Sequence, residues 1–414
     1  MLNCLRSSEI IATKEGDLKR ACYFHDPCNG IFKAMLQTEM FPPAPFKSKE
    51  WLSFLRKIGM VCEISPDQFK KFAEEVALEA ATQRSVKTDE TSKLLVSHLL
   101  SRSQVLGHGL LQSVCGIPFV VSEPVSSDLL ALHGQYGERK DGQSPYIAFK
   151  DSVVSDHAEI VWTTAHLLPR FVLEAKAPWN LPRDAFGNNT LDCLKVLSEP
   201  PLALVTSHCQ NISNRLAREN GSDVSEEQCL RRKSVMKSIY KFLQEKVTTN
   251  HDVKEVLHSS PCILVERGTR LAKPKQVVLE LYESLEIKPF LYRVPHDLGE
   301  FHRLFLLLGC SSSVTTSHYA MVLEMLHDQC QGEKLHPNEI QSALRAVRGF
   351  FEKLQENPTE GESLSKLFLP ALIPESGCQG SLPVVLHKST ELVFDDAPHL
   401  RTRLQNLKQL FVID

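Results

Sequence analysis

Apolar residues recur along this chain at spacings of three and four, which is the period of one face of an α-helix. One such pattern runs from Pro337 to Leu354, and another runs from Ser225, which begins a capping-box sequence, to Val247. The residues expected on the buried faces are Ile340, Leu344, Val347, Phe351 and Leu354 in the former, and Val235, Ile239, Leu243 and Val247 in the latter. Two long amphipathic helices are predicted.

The segment from Trp51 to Phe69 recurs without a gap as Phe301 to Tyr319, 250 residues later. Large apolar residues match throughout, and Gly59 falls on Gly309. Because glycine takes positive φ at little cost, each copy predicts a short apolar helix that ends at this glycine. A second helix is expected to follow in both copies.

This second helix is expected to begin at a hydroxyl N-cap, Ser65 in one copy and Thr315 in the other. Ser65 is followed by Pro66 and Gln68, which adds a capping box with proline at the first helical position. The predicted buried stripes are Phe69, Phe72, Ala73, Val76 and Ala80 in the first copy, and Tyr319, Val322, Leu323 and Leu326 in the second.

A short signature with strand character also recurs, at Ser8–Ile11, Ala158–Val161, Lys275–Val278 and Thr390–Val393. Another β-rich run precedes each of the last three signatures, at Tyr146–Phe149, Ile263–Val265 and Val384–Leu386. Each of these three pairs predicts a β-hairpin.

Together the patterns predict an α+β, helix-predominant fold made of tandem units, each a few helices followed by a β-hairpin. Residues 1–50 are expected to end a preceding unit, and 51–180 to form a helical unit with a β-hairpin. Residues 190–295 form a degenerate unit, in which Leu194–Leu197 replaces the glycine-terminated helix. Residues 300–414 form another unit and the start of a further one, as expected of a piece of a longer chain.

Composition narrows the class of protein. The net charge is −3, from 47 basic and 50 acidic residues, so no overall field attracts nucleic acid or an anionic membrane. No window approaches the roughly 18 uninterrupted apolar residues of a membrane span, and the first residues lack the apolar core of a signal peptide. The 12 cysteines are therefore expected to be reduced. We expect a cytoplasmic protein without nucleic-acid or membrane partners.

Nucleotide binding requires closely spaced glycines whose backbone N–H groups hold phosphate. The sequence contains no Walker A pattern, no GxGxxG and no Asn-x-x-Asp-Ala motif of the GHKL ATPases. The string Gly107-His108-Gly109 comes nearest but has no lysine or hydroxyl partner. We expect no bound cofactor.

The tightest cluster of potential metal ligands is Cys22, His25 and Cys28. Structural zinc takes four ligands, usually as two closely spaced pairs, and the nearest other cysteine, Cys4, has no companion. Strand periodicity also places Cys22 and His25 on opposite faces. Buried cysteines beside a turn are therefore expected rather than a metal site.

No hydrolase motif is present, and we expect no catalytic residues and no enzymatic activity. The alternative is a nucleophilic cysteine that meets a histidine in the fold. The thiols to inspect for such a cleft are Cys22, Cys62, Cys115 and Cys310.

The apolar, proline-rich strip from Phe41 to Phe46 could bind a partner. However, Pro45 recurs as Pro295 ahead of the second copy of the aromatic helix. The strip is therefore expected to set the angle at which the chain enters the repeat.

Several strings resemble the repeat regions of the sacsin family: CYFHDPCNGIFKAML, FPPAPFKSKEWLSFLRKIG, PCILVERGTRLAKPKQVVLEL and the stretch from Glu391 to Pro398. The resemblance covers essentially the whole chain. Members of this family consist of very large repeats, each of which opens with a GHKL ATPase-like module and continues into helix-rich segments. They also carry a ubiquitin-like domain, a J domain and a HEPN domain.

Neither the GHKL motif nor the His-Pro-Asp of a J domain occurs here. The resemblance therefore implies the part of a repeat that follows the ATPase-like module, in a cytosolic co-chaperone of protein quality control. It also implies client proteins and other segments of the same large chain as partners, with chaperone machinery recruited through domains absent from this segment. A helical protein-interaction adaptor and a cysteine-dependent hydrolase remain the alternatives.

Overall fold

The structure is a computed structural model that describes residues 2–13, 15–83, 85–125, 129, 146–170, 172, 190–217, 225–246, 251–358, 367–372, 384–393 and 410–412. The chain divides into two compact units, Met1–Val205 and Thr206–Asp414. Val247 and residues 394–398, on which parts of the sequence predictions fall, lie outside the described residues.

The first unit is mostly helical and carries three small sheets. Its helices are α1 (Leu2–Ser7), α2 (Gly30–Met35), α3 (Lys49–Lys57), α4 (Pro66–Thr82), α5 (Val86–Ser101), α6 (Ser103–Val114), α7 (Ala158–Val161) and α8 (Thr190–Cys193). Its strands are β1 (Ile11–Ala12), β2 (Leu18–Lys19), β3 (Val120–Val121), β4 (Tyr146–Ile147), β5 (Ser152–Val153) and β6 (His166–Leu167). Strands β1 and β2, and also β3 and β4, pair antiparallel, whereas β5 and β6 pair parallel.

The second unit also consists of helices and small sheets. The division between the two units falls within helix α9 (Leu202–Leu216). The other helices are α10 (Glu226–Lys246), α11 (His251–Ser259), α12 (His302–Leu308), α13 (Thr316–Cys330) and α14 (Pro337–Glu356). The strands are β7 (Ile263–Val265), β8 (Arg270–Ala272), β9 (Val277–Glu280), β10 (Tyr292–Arg293), β11 (Ser311–Ser313), β12 (Phe368–Leu372), β13 (Val384–Lys388), β14 (Leu392–Val393) and β15 (Leu410–Val412). The sheet orders are β7-β8, β10-β9-β11 and β13-β12-β15-β14. The helix-predominant α+β class is confirmed, whereas the segment boundaries predicted from the sequence stay a prediction.

The repeat detected at Gly59 and Gly309 is a structural repeat, which we call the turn motif. Gly59 has φ +108° and Gly309 has φ +103°. The residue after each glycine donates its N–H to a carbonyl five residues back: Met60 to Leu55 O over 2.9 Å, and Cys310 to Phe305 O over 2.9 Å. These are the bonds of a Schellman motif, which satisfies carbonyls at the end of a helix.

A middle copy of the turn motif uses lysine where the other copies use glycine. Lys195 has φ +58°, and the next residue, Val196, donates its N–H to Leu191 O over 3.0 Å. The segment Leu194–Leu197 therefore keeps the turn rather than replacing it, and our description of this unit as degenerate was wrong on that point. The error arose because only glycine was expected at positive φ.

Each turn motif continues in the same way. Two residues after the positive-φ residue, the chain forms a parallel bridge with an upstream segment: Val61 with His25, Leu197 with Val153, and Ser311 with Val278. Five residues later the next helix begins, as α4, α9 and α13. The predicted stripes of α4 and α13 are buried, apart from Ala80, which is partly buried. We call residues 45–82, 190–216 and 295–330 the first, middle and last copies.

Each helical group is followed by an antiparallel pair of strands, as predicted, but the two strands that pair are not the predicted ones. Strand β4 pairs with β3, β7 with β8, and β13 with β12. After β4, β8 and β13 comes a 3₁₀ turn, and the strand that follows the turn pairs parallel elsewhere. The predicted hairpins were therefore wrong, because the 3₁₀ turn separates two strands that lie close in sequence.

The signature Ala158–Val161 was also predicted wrongly, since this segment is helix α7. This helix directly follows a 3₁₀ turn at Ser155–His157, so the backbone is already helical where the signature begins. In the signatures Lys275–Val278 and Thr390–Val393, a 3₁₀ turn is followed by a strand. In the first unit the segment with this structure is Lys150–Val153, where the end of a 3₁₀ turn is followed by strand β5.

Helix α14 spans the predicted residues but buries a different face. Ala343, Ala346 and Phe350 are fully buried, whereas Leu344 and Phe351 are 41% and 39% exposed. The small residues let α14 approach α13 closely: a Cβ added at Gly349 would lie 2.4 Å from Cζ of Tyr319. The close contact between α13 and α14 requires small side chains on α14. The spacing of the large apolar residues, from which the buried face was predicted, does not reveal such a contact.

Candidate functional site

A pocket of 280 Å³, here called the β9–β11 pocket, lies at the carboxyl ends of parallel strands β9 and β11. Ligands bind at the corresponding edge of open parallel sheets. The end of helix α14 forms one of its walls. The residues that line the pocket are Glu280, Leu281, Tyr282, Leu285, Ser313, Val314, Thr315, Lys353, Glu356 and Asn357.

The polar side chains of this pocket include an ion pair, and an exposed aromatic ring lies at its rim. Lys353 Nζ donates to the Glu356 carboxylate, so these two charges offset each other. Tyr282 is 79% exposed at the rim. The lining includes neither cysteine nor histidine and hence no nucleophile–base pair of those types. The volume is close to the lower end of small-molecule sites, about 300 Å³, and suits one side chain.

Thr315, on the wall of the pocket, also caps helix α13. Its N–H donates to Nδ1 of His318 over 3.2 Å, and its hydroxyl lies 2.8 Å from the same nitrogen. Burial lowers the pKa of His318 and outweighs the opposing effect of the Thr315 backbone. The neutral imidazole therefore serves as the acceptor of the capping box.

The cluster Cys22, His25 and Cys28 does not form a metal site. Cys22 and Cys28 are exposed, whereas His25 is buried with its ring edge-on to Phe32 at 4.8 Å. Within the described ranges there is no group of three or more His, Cys, Asp or Glu side chains that could hold a metal ion. The expectation that these cysteines are buried was wrong.

A strong polar contact in this region joins Asp26 to Arg56. The two Asp26 oxygens accept from Arg56 Nε over 2.7 Å and from Arg56 Nη2 over 3.2 Å. Burial raises the pKa of Asp26, but hydrogen bonds from Arg56 and from the Cys28 N–H outweigh burial, so the pKa is lowered overall. The ion pair ties α3 to the segment that bridges Val61, which is a structural role.

Cys62 and Cys310, two of the four candidate thiols, show no sign of activation. Cys62 Sγ donates to Met60 O over 3.2 Å, and Cys115 Sγ donates to Gln112 O over 3.1 Å. Burial raises the pKa of Cys62, and it raises the pKa of Cys310 to about 12. Cys62 and Cys310 therefore remain protonated at neutral pH, the inactive form of a nucleophile.

The glycine pair around His108 lies inside helix α6 rather than in a loop. Gly107 has φ +79° and ψ +159°, which interrupts the helix, whereas Gly109 continues it. A phosphate cradle requires consecutive backbone N–H groups that point into one concavity, at the start of a helix. This segment does not have that geometry.

Part of the proline-rich strip is packed against the hydrophobic clusters of the first unit. Pro42 is buried, Phe41 packs against one hydrophobic cluster and Phe46 packs against another. The Phe46 ring also meets the Trp51 ring at 5.1 Å, and Trp51 meets Phe54 at 5.8 Å. Ala44 and Pro45 of the strip are exposed, and so is Trp51 at 42%, on an aromatic face of α3 that the sequence did not single out.

These features define a class: a helix-predominant α+β protein with a repeated turn motif. Among the residues that the structure describes, no helix combines the length and apolarity needed to cross a bilayer. No protein-family model matches the chain, and no solved structure matches it either.

Comparison with curated proteins then identifies a relative. The chain is 30% identical to human sacsin over 439 aligned residues, which cover 97% of the chain. It is therefore a sacsin-like segment, as its sequence motifs predicted. It spans only 9% of the length of human sacsin.

Proposed function

We propose that this chain is a non-catalytic scaffold or client-binding segment of a giant sacsin-like co-chaperone in cytoplasmic protein quality control. The observation that carries the proposal is the turn motif, which occurs three times with the same backbone bonds and with different side chains. Selection for a catalytic centre fixes a few side chains, whereas selection for architecture fixes a backbone. The protonated Cys62 and Cys310 thiols and the likeness to human sacsin support it.

The client-binding part of the proposal rests on one flank of α14, here called the α14 flank. Leu344 and Phe351 are exposed on the same side of this helix, seven residues apart. Ile340 and Val347, on the same side, are half-buried and pack against the core of the second unit. An apolar flank of this kind fits apolar segments of unfolded clients, and its partners are therefore client proteins.

The test is aggregation of a thermally unfolding client, followed by light scattering, with the 414-residue chain present and ATP either absent or added. We expect suppression that is indifferent to ATP. If the chain does not suppress aggregation, client binding is excluded and only the architectural role stands. Clear ATP dependence would refute the proposal, because such dependence requires a nucleotide site.

A matched pair of variants locates the client surface. Leu344→Glu combined with Phe351→Glu should weaken the suppression, because both charges enter the proposed contact. Leu78→Glu is the control, since Leu78 is 68% exposed on α4 and lies outside the α14 flank. Equal effects of the two variants would remove the α14 flank from the proposal.

A second candidate function, a protein-interaction adaptor, is favoured by the β9–β11 pocket. An adaptor binds one defined peptide, whereas a client-binding segment binds unrelated unfolded chains. Leu285→Glu at the pocket rim should abolish adaptor binding without changing suppression of aggregation. A random peptide array that yields one sequence dependent on Leu285 would favour the adaptor.

A further inference from the structure

The helix of the last copy, α12, is covered by a helix pair that precedes it in the chain. Helices α10 and α11 both pack on α12. The Tyr240 ring of α10 lies 5.4 Å from Phe301 and 5.2 Å from Phe305, and Phe301 is only 5% exposed. The cover includes two ion pairs: Lys233 with Asp297 at 3.0 Å and Lys237 with Glu300 at 3.6 Å.

The middle copy is covered in a comparable way. Its helix α8 packs against α6, the last helix of the preceding helical group. Thr190 Oγ1 donates to Ser103 Oγ over 3.2 Å in a buried contact. Two copies of the turn motif therefore place their helix beneath helices of the group before them.

The first copy has only part of such a cover. Helix α1 takes the place of α11: Arg6 donates to Lys57 O over 3.3 Å, as Nδ1 of His258 contacts Leu308 O at 2.9 Å. Arg6 and His258 are also the side chains nearest to Gly59 and Gly309. Within the described part of the chain, however, no helix takes the place of α10.

Trp51 stands where the last copy has Phe301, and it is 42% exposed instead of 5%. Trp51 is in contact with the rings of Phe46 and Phe54, and aromatic patches of this kind are enriched at interfaces. We infer that the Trp51 face of α3 is a docking surface for an amphipathic helix of the α10 type, supplied by a further repeat of the same kind in a longer polypeptide.

The charges around Trp51 specify that helix further. The positions of Asp297 and Glu300 are taken by Lys47 and Glu50 in the first copy. The docking helix therefore carries an acidic residue where α10 has Lys233, keeps a basic residue at the position of Lys237, and places an aromatic residue at the position of Tyr240. This inference rests on the repeat and does not depend on whether the chain suppresses aggregation.

The experiment supplies such a helix by tethering it to the full chain. A copy of residues 225–257, with Lys233→Glu in the copy, is joined to Arg6 in place of residues 1–5. The tether keeps the added helix at a high effective concentration near α3. Trp51 is followed by ¹⁹F NMR of 5-fluorotryptophan, its line assigned with Trp51→Phe, and a soluble paramagnetic probe reports its exposure.

We expect the paramagnetic broadening of Trp51 to fall from that of a 42% exposed residue towards that of Phe301, 5% exposed. A graft with Tyr240→Glu in the copy should leave Trp51 accessible. Trp51 equally accessible in both grafts, or equally shielded in both, overturns the inference.

A measurement in trans keeps the inference testable even if the graft misfolds. The peptide of residues 225–246 with Lys233→Glu, titrated into the full chain, should shield Trp51 saturably, and a lack of shielding overturns the inference. Shielding that grows with the concentration of the ungrafted chain alone would make a second copy of the chain the occupant and would contradict it too.

Discussion

In the first copy of the turn motif α3 ends at Gly59, and in the last copy α12 ends at Gly309, with the same backbone bonds. The side chains around the two turns differ. In the last copy, aromatic rings and His258 pack on the turn and its helix. In the first copy, the Asp26–Arg56 ion pair fixes the helix, and Trp51 is exposed. A shared backbone therefore does not fix how strongly each copy is held, and the variants below measure this difference.

The largest difference is expected between Phe301 and Trp51. Phe301→Ala should lower the free energy of unfolding by about 3–5 kcal/mol, because it opens a cavity between α10 and α12. Trp51→Ala should cost only about 1 kcal/mol, because much of that ring is already in water. Urea denaturation of both variants checks the comparison, and similar losses would contradict it.

The two glycines are expected to differ next. Alanine at either position is strained, since φ lies near +105° in both, and this strain costs about 1–2 kcal/mol. At Gly309 the added Cβ would also lie 2.2 Å from Nδ1 of His258, whereas at Gly59 the nearest side-chain atom, Arg6 Cγ, is 4.0 Å away. Gly309→Ala should therefore cost about 2–4 kcal/mol and Gly59→Ala about 1–2 kcal/mol.

The control for the glycine comparison is a double-mutant cycle. Combining Gly309→Ala with His258→Ala should recover the part of the loss due to the clash, whereas Gly59→Ala combined with Arg6→Ala should be additive. Both are measured as urea midpoints. Additivity at both sites would show that His258 moves aside and that only backbone strain matters.

The ion pair of the first copy should be replaceable by apolar contact. Arg56→Leu alone should cost about 1–2 kcal/mol, because it leaves the carboxylate of Asp26 partly buried without its main partner. Leu279 of β9 and Leu306 of α12 stand at the positions that correspond to Asp26 and Arg56. Combining Arg56→Leu with Asp26→Leu should therefore restore most of the stability in urea denaturation, and a double variant weaker than the single one would refute this.

The sequence carried the information for local structure better than for pairing. Glycine-terminated helices and hydroxyl caps are local, so Gly59, Ser65 and their counterparts were predicted correctly. Strand pairing depends on partners distant in sequence, and for this reason the partners of β4, β7 and β13 were missed. Lys195 hid the middle copy because a lysine at positive φ gives no local signal, although Leu191 and Leu194 keep the apolar spacing of Leu55 and Ile58.

The candidate sites were less predictable than the fold. The sequence placed Cys22 and Cys28 in the interior, whereas both are exposed and only His25 of that cluster is buried. The β9–β11 pocket and the exposure of Trp51 could not be predicted. Both depend on which neighbouring elements cover a surface, and exposure of that kind is a property of tertiary packing rather than of spacing along the chain.

The smallest expected effect concerns the capping boxes, where the last copy has His318 and the first has Gln68. Because burial lowers the pKa of His318 in the folded chain, the unfolded chain binds a proton more readily. Stability should then fall as pH drops below the unfolded value of about 6.5, and it should continue to fall towards the lower folded pKa. His318→Gln should keep the cap and flatten this dependence.

The measurement is the urea midpoint of the parent and of His318→Gln at several pH values between about 7.5 and about 5, a range that brackets the ordinary histidine pKa. Burial also lowers the pKa values of His25 and His98, but both residues remain in the variant, so the difference between the two curves isolates His318. Curves that converge at low pH would show that the last copy depends on a neutral imidazole where the first copy uses an amide. Parallel curves would show that the Thr315 cap tolerates protonation of His318.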